Sequence, residues 1–425
     1  MWYRLGAAKG DPNAMVRIGA MYDTGTGVAL NYAAALEWYR KSANIGSGYG
    51  ANDVGCLYLD GDGVEKNAKK SMEWFRRAAA MGNVTAMHNI GHQYYRGQGV
   101  KKSFAAALHW YKMAAIGGNS AAMTHLGYMY ARGLGTMKNE QKALEWYRRA
   151  AAKGSGYAAN NLGVHYEDGA GVPRSLVRAA GWYRTAAAMG NVSAMANLGS
   201  LYADGHGMER NEALAMEWYR RAAAAGDGGA MNDLGVLLEK SHGLKASYQL
   251  AARWYRRGAG AKNPQAMANL ARMYVHGRGV KKNLAIAMQW YRQSAGLGDS
   301  DAATRMGVLY SGRFGGKADY ARAHKWFLRA AAAGNDHAMD NLGVQYLHGH
   351  GAPRSYATAL RYFKEAAAAG NGFAMYDLGW MYGHGRGAPR NMQRATRWFK
   401  KAAAAGNWHA IQKLKDMSHG PKIKK

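Results

Sequence analysis

The chain has 425 residues, with 57 Lys and Arg against 27 Asp and Glu, a formal charge of +30 and a hydrophobic content of 48%. That apolar content excludes a disordered chain, while 57 Gly beside only 6 Pro excludes collagen and fits helices punctuated by glycine turns. The single cysteine, Cys56, excludes an internal disulfide and a metal site built of thiolates alone, and no apolar run reaches the roughly 18 residues of a transmembrane segment.

At about 150 residues per domain the length suggests three globular domains. Instead, one 36-residue pattern recurs eleven times from Gly10 to Ala405 without insertion or deletion. A period of that size marks a stacked array. Residues 1–9 precede it: Trp2-Tyr3-Arg4 is in phase with Trp38-Tyr39-Arg40, so this stretch reads as the second helix of a preceding repeat whose first helix is absent. A signal peptide would lie ahead of Met1, which leaves cytoplasm, periplasm and exterior all open.

Each repeat is counted here from its opening glycine, Gly10 in repeat 1 through Gly370 in repeat 11, with Lys262 the exception in repeat 8. Alanine recurs at +4 (Ala14, Ala86, Ala122), an aliphatic residue at +8 (Ile18, Leu126, Leu162), glycine at +9 and tyrosine at +12 (Tyr22, Tyr58, Tyr94, Tyr130). These offsets share one face of a 3.6-residue helix, helix A. Gly-x-Gly at +15 to +17, as in Gly25-Thr26-Gly27, ends it through left-handed glycine. The +15 glycine fails only at Ser241 and Arg313. A second stripe at +25, +28, +29, +32 and +33 (Ala35, Trp38, Tyr39, Ser42, Ala43) defines helix B. The small residues at +9 and +33 imply close backbone approach, with Tyr at +12 and Trp at +28 expected to fill the gaps. One pair cannot bury both stripes, so neighbours must stack.

The pattern A-M-x-N-L-G-x-x-Y-x-x-G-x-G-V followed by A-L-E-W-Y-R-R-A-A, reproduced almost in full between Ala122 and Ala151, resembles the Sel-one-like repeat family, a relative of the tetratricopeptide repeats. The resemblance covers nearly the whole chain. It implies an all-α, right-handed α/α solenoid of eleven helix-turn-helix repeats over residues 10–405, with helices A lining a concave surface used as a scaffold for other proteins. Members of that family act in bacterial envelope and host-contact processes and in eukaryotic protein quality control.

The seam between repeats 7 and 8 departs furthest from the pattern: Leu238 replaces the tyrosine, Ser241 the loop glycine, Lys262 the opening glycine and Ala271 the +9 glycine. A bend or looser packing is open there, but the favoured reading is a neutral one, since neighbouring repeats can hold a degenerate unit in place. Residues 406–425 read as a capping helix and basic tail, with Lys415 and Ser418 in the +9 and +12 slots.

No Gly-x-Ser-x-Gly elbow, His-Glu-x-x-His or Walker loop is present, which points away from an enzyme and names no cofactor. Six histidines fall in A-to-B loops (His206, His242, His276, His348, His350, His384), of which only His348, His350 and His384 are spaced to converge on a metal. Position +30 is basic in ten repeats, including Arg40, Arg76, Arg148, Arg184, Arg220, Arg256 and Arg292, and would form a cationic stripe without an aromatic platform beside it. Position +7 is Asn or Asp in eight repeats: Asp53, Asn89, Asn161, Asn197, Asp233, Asn269, Asn341 and Asp377. Such side chains either bond the neighbouring repeat or hold an extended peptide. Positions +3, +6 and +10 vary and are expected to face solvent. In repeat 11 they are Phe373, Tyr376 and Trp380, and Tyr49 and Tyr157 share the +3 slot. An exposed aromatic patch marks a binding surface.

The leading expectation is therefore a non-catalytic scaffold that binds a protein or peptide, acidic ones included, along helix A with the C-terminal aromatics as anchor. The alternative is a cationic solenoid that binds nucleic acid or an anionic envelope polymer through the stripe. A metal-dependent hydrolase built on the loop histidines stands third.

Overall fold

The computed structural model describes residues 2–242 and 245–418, apart from the side chains of residues 241, 242, 245, 246 and 418. Met1 and the basic tail from 419 onward lie outside the described residues, as do the side chains of Ser241, His242 and Ser418 singled out above. The described residues form 24 helices in paired helix-turn-helix repeats, an all-α solenoid. By internal contact the chain divides into two bodies, Met1–Trp218 and Tyr219–Lys425. The division falls within helix B of repeat 6 (Glu212–Ala224), ahead of the degenerate seam.

Most helices have 13 residues, and their ends follow from short polar side chains and glycine. Helix A of repeat 3 (Val84–Arg96) starts at Asn83, whose Oδ1 accepts from Ala86 N at 2.8 Å, and stops at Gly97 in the left-handed region. Helix B of repeat 4 (Glu140–Ala152) starts in the same way at Asn139. Such caps satisfy amides that the first helical turn leaves free, each contributing about 1 kcal/mol. The two departures from the loop glycine act in opposite directions. Helix A of repeat 7 (Gly228–His242) runs on through position 241, whereas helix A of repeat 9 (Ser300–Tyr310) stops short of Arg313. Lys262 has φ of 59°, the conformation its glycine counterparts adopt, and is the one non-glycine residue with positive φ among those described.

The gap at the +9 glycine is filled by the +29 ring rather than by Tyr at +12 or Trp at +28. A Cβ on Gly127 would overlap the ring of Tyr147, one on Gly163 that of Tyr183, and one on Gly343 that of Phe363. Those rings are fully or nearly fully buried. The +17 glycine is equally constrained, because a Cβ on Gly99 or Gly135 would strike the start of the preceding repeat's helix B at Ala68 or Phe104. In the first body the largest cluster runs from Ala107 to Leu201, with smaller ones around Phe75, Tyr39 and Ile18; in the second, clusters centre on Phe327 and Phe363.

Candidate functional site

Stacking brings position +6 of one helix A beside position +7 of the next, 37 residues on, and produces a ladder of polar rungs. Asn89 Nδ2 donates to Asn52 Oδ1 at 3.0 Å, Asn197 to Asn160 at 3.1 Å and Asn269 to Asn232 at 2.9 Å. Position +6 thus faces a neighbouring repeat and not solvent: Asn52 is only 7% exposed. The remaining +7 residues sit differently. Asp53 and Asp233 accept from the adjacent Asn52 and Asn232 at 3.0 and 3.2 Å, Asn161 bonds the Tyr147 hydroxyl, and Asn341 donates to His337 O of its own helix at 2.7 Å. Burial pushes the Asp53 carboxyl up to about 6, partly offset by the Asn52 bond.

Two rungs carry titrating pairs. Between repeats 3 and 4, His88 and His125 stack with ring centroids 5.3 Å apart, and His125 also stacks on Tyr111 at 4.9 Å. Burial, and then the neighbouring histidine and Arg96 charges, lower His125 to about 4; burial lowers His88 as well. Between repeats 10 and 11 the corresponding residues are Asp340 and Asp377. Burial raises each to about 7, and the charge on Asp377 adds to the shift of Asp340. The +6 members of the ladder were not singled out from the sequence, although the 37-residue recurrence of Asn pairs is visible there.

A groove of about 740 Å³ opens beside the histidine rung. Its walls are helix A of repeat 4 (Ser120–Arg132), helix A of repeat 5 (Gly156–Asp168) and the turns that precede helices A of repeats 5 and 6. Thr124, His125, Tyr128, Tyr157 and Asn161 present polar or aromatic atoms to it, and no Asp or Glu lines it. The Thr124 and Ser155 hydroxyls pair at 2.9 Å.

The aromatics expected to anchor a partner divide by position. The three +3 residues are exposed: Tyr49 by 66%, Tyr157 by 74% and Phe373 by 57%. Tyr376 and Trp380, by contrast, are half-buried, which corrects the expectation of one continuous exposed patch. The Tyr376 ring lies 5.5 Å from Phe399 and 5.9 Å from His409 of the terminal helix (Trp408–Ser418), and Trp380 stacks on His384 at 4.4 Å. Positions +6 and +10 flank the buried face of helix A instead of opposing it.

The stripe residues Arg40, Arg76, Arg148, Arg184, Arg220, Arg256 and Arg292 are exposed. Contrary to expectation, aromatic rings are interleaved with them. Arg40, Arg76, Arg184 and Arg256 donate to the +12 tyrosine hydroxyl of the next repeat at 2.5, 3.0, 3.0 and 3.2 Å, and Arg148 holds Tyr166 below its ordinary value in the same way. The +28 tryptophans are half-buried, with the +31 cation over the ring: Arg77 on Trp74 at 5.0 Å, Arg149 on Trp146 at 4.3 Å and Arg257 on Trp254 at 4.5 Å. Cation–π attraction keeps these rings at the surface.

Of the loop histidines, His348 and His350 stack at 5.7 Å while His384 bonds Trp380 O at 2.8 Å. Among the described residues no group of three or more His, Cys, Asp or Glu is placed to hold a metal ion, and no helix is long and apolar enough to cross a membrane.

The profile of the Sel1 repeat matches eleven consecutive segments, from residues 12–47 to 372–407. Among solved structures, c5321, described as a protective antigen present in uropathogenic Escherichia coli strains and displaying an SLR fold, is 30% identical. The alignment covers 98% of this chain and 90% of that one, with a TM-score of 0.65. A Sel1 repeat protein from Oxalobacter formigenes is 33% identical over 58% of this chain and 99% of that one, with a TM-score of 0.54. No curated protein matches the chain.

Proposed function

Since this chain belongs to the Sel1 repeat family, we propose that it is a non-catalytic scaffold that binds a protein or peptide on the helix A surface of its repeats. Folds of this kind commonly mediate protein interactions. The observation that carries the reading is the groove of about 740 Å³ in repeats 3 to 6, with Tyr157 exposed at its rim. An exposed aromatic side chain held beside polar side chains is the usual composition of an interface anchor. Phe373 and Tyr49 offer the same +3 position elsewhere along the array. A photo-crosslinking residue at position 157 tests this, compared with one at exposed Val177 on helix B of repeat 5 (Leu176–Ala188). Adducts from 157 and none from 177 are expected; equal labelling defeats the assignment of the surface.

A second reading, polyanion binding along helices B, is favoured by the alternation of basic and aromatic side chains at +28, +30, +31 and +12. Nucleic acid or an anionic polymer held there releases counterions, so affinity falls steeply with salt. A titration with single-stranded DNA at several salt concentrations separates the readings: a near-zero slope of log affinity against log salt removes this one.

A further inference from the structure

The groove in repeats 3 to 6 has a chemical bias that narrows its occupant, given the reading of the helix A surface as partner-binding. Where other rungs close with an amide bond, His88 and His125 meet each other only by stacking, and His88 bonds Asn89 beside it on its own helix. His88 Nε2 is buried without a hydrogen-bond partner, and His125 has ring contacts but no hydrogen bond among the described residues. Two imidazoles at the groove wall therefore have unused hydrogen-bonding capacity. The groups around them are tyrosines, a third histidine and cations. Helix A of repeat 3 supplies His92, Tyr95 and Arg96, helix B of repeat 3 (Phe104–Ile116) supplies Tyr111, and helix A of repeat 4 supplies Tyr128 with Arg132 over its ring at 5.9 Å. On the side of the next turns, Tyr147 lies behind Asn161 and exposed Lys153 stands near Gly118. The lining has donors and cations nearby and no carboxylate of its own.

We propose that this groove takes an extended acidic polypeptide segment, one carboxylate of which pairs with the His88–His125 rung so that binding draws a proton from solvent onto an imidazole. In the free protein burial keeps the rung neutral. A carboxylate placed against it offsets the desolvation of the charged form and restores the histidine toward its ordinary range. The complex then holds a proton that the free protein lacks between about pH 4 and 6.5, and linkage requires affinity to rise as pH falls through that interval. Glutamates of the ligand stay ionised down to about pH 4.3, so they do not reverse the trend before then.

The probe is a capped hexaglutamate peptide titrated calorimetrically into the full chain at pH 7.5 and 5.5, in buffers of different ionisation enthalpy. Roughly tenfold tighter binding at pH 5.5 is expected for one imidazole restored to its ordinary value, with heats that differ between buffers by the uptake of one proton. The variant H88N/H125N, which installs the amide rung found elsewhere in the ladder, is expected to bind with the same affinity at both pH values. Equal tightening in that variant, or heats independent of buffer in the wild type, overturns the assignment of the proton to this rung. Absence of binding at both pH values overturns the proposed acidic ligand. Tyr157→Glu, which places a like charge at the groove mouth, is expected to abolish the pH-dependent component. Full binding by that variant overturns the groove itself as the site, a different failure from persistence of the pH effect in H88N/H125N. R148Q/R184Q removes two stripe cations and is expected to leave the pH-dependent component in place; its loss there moves the site to helices B and also overturns the proposal.

Discussion

Between repeats 3 and 4 the ladder places two histidines, and between repeats 10 and 11 it places two aspartates, at the same pair of helix A positions. Both pairs are half-buried, and burial neutralises both, but from opposite sides. His125 is lowered to about 4, so its rung binds fewer protons than the unfolded chain. Asp340 and Asp377 are raised to about 7, so theirs binds more. One burial site thus penalises acid in the first body and alkali in the second. Only the chemistry of the two side chains differs; the backbone register is shared with rungs that have amides and do not titrate.

The comparison breaks most visibly at the aspartates. Folded carboxyls near 7 release protons on unfolding between about pH 4 and 7, so the rung's contribution to stability falls as pH rises through that window and stays low above it. Asp340 Oδ1 is also buried without a partner. D340N/D377N supplies amide donors and removes the titration. Its expected gain is on the order of 3 kcal/mol at pH 8 and close to zero at pH 4, read from hydrogen exchange of the helix A amides in repeats 10 and 11. A gain of equal size at both pH values would show that the carboxyls do not titrate as a buried pair.

The histidine rung reverses the sign. A folded value near 4 against an ordinary value near 6.5 means that the unfolded chain takes up the proton first, and stability falls as pH drops from 6.5 toward 4. H88N/H125N is expected to add about 2 kcal/mol at pH 5 and little at pH 8. Urea denaturation of the two chains at both pH values measures it. A gain confined to pH 8 would contradict the assignment.

Much of this architecture is legible in sequence because it is repeated. The +4, +8 and +29 stripes, the loop glycines and the small residue at +9 recur in register, so helix pairs and their stacking follow from periodicity alone. The ladder is half visible: position +7 stands out through its Asn and Asp, while +6 varies among Asn, His, Thr, Asp, Ala, Val and Tyr and reads as solvent-facing. What a helical wheel lacks is the neighbouring helix, which covers +6 and Tyr376 alike. Trp at +28 was misplaced for a related reason. Composition marks it as core, whereas the cation at +31 covers its face and leaves it at the surface. The groove was not legible at all, because its walls come from segments between 88 and 193 that meet only after stacking.

An amide rung sharpens the contrast with the titrating ones. Asn89→Ala removes the 3.0 Å bond to Asn52, leaving an acceptor that is 7% exposed without that donor. The expected loss is about 1–2 kcal/mol, and equal at pH 5 and pH 8. Chemical denaturation at the two pH values checks both size and flatness; a pH-dependent loss would mean that nearby Asp53, raised to about 6, or His88, which the Asn89 side chain also bonds, is coupled to the rung.

The smallest effect is expected at Phe373, and it separates the ladder from the surface beside it. Phe373 and Tyr376 lie three residues apart on helix A of repeat 11 (Gly372–His384), yet stacking covers only the second, whose ring meets Phe399 and His409. Phe373 is 57% exposed, so truncation to Ala removes little buried area and changes stability by under about 0.5 kcal/mol. Tyr376→Ala removes the ring packed against Phe399 and His409 and loosens the terminal helix, with a loss several times larger in the same denaturation series. Equal losses would place Phe373 in the packing of the C-terminal end, whereas a silent Phe373→Ala leaves that ring free for a partner, as at Tyr157 and Tyr49. A surface that binds must stay uncovered when the repeats stack, and in this chain the +3 position meets that condition while +6 does not.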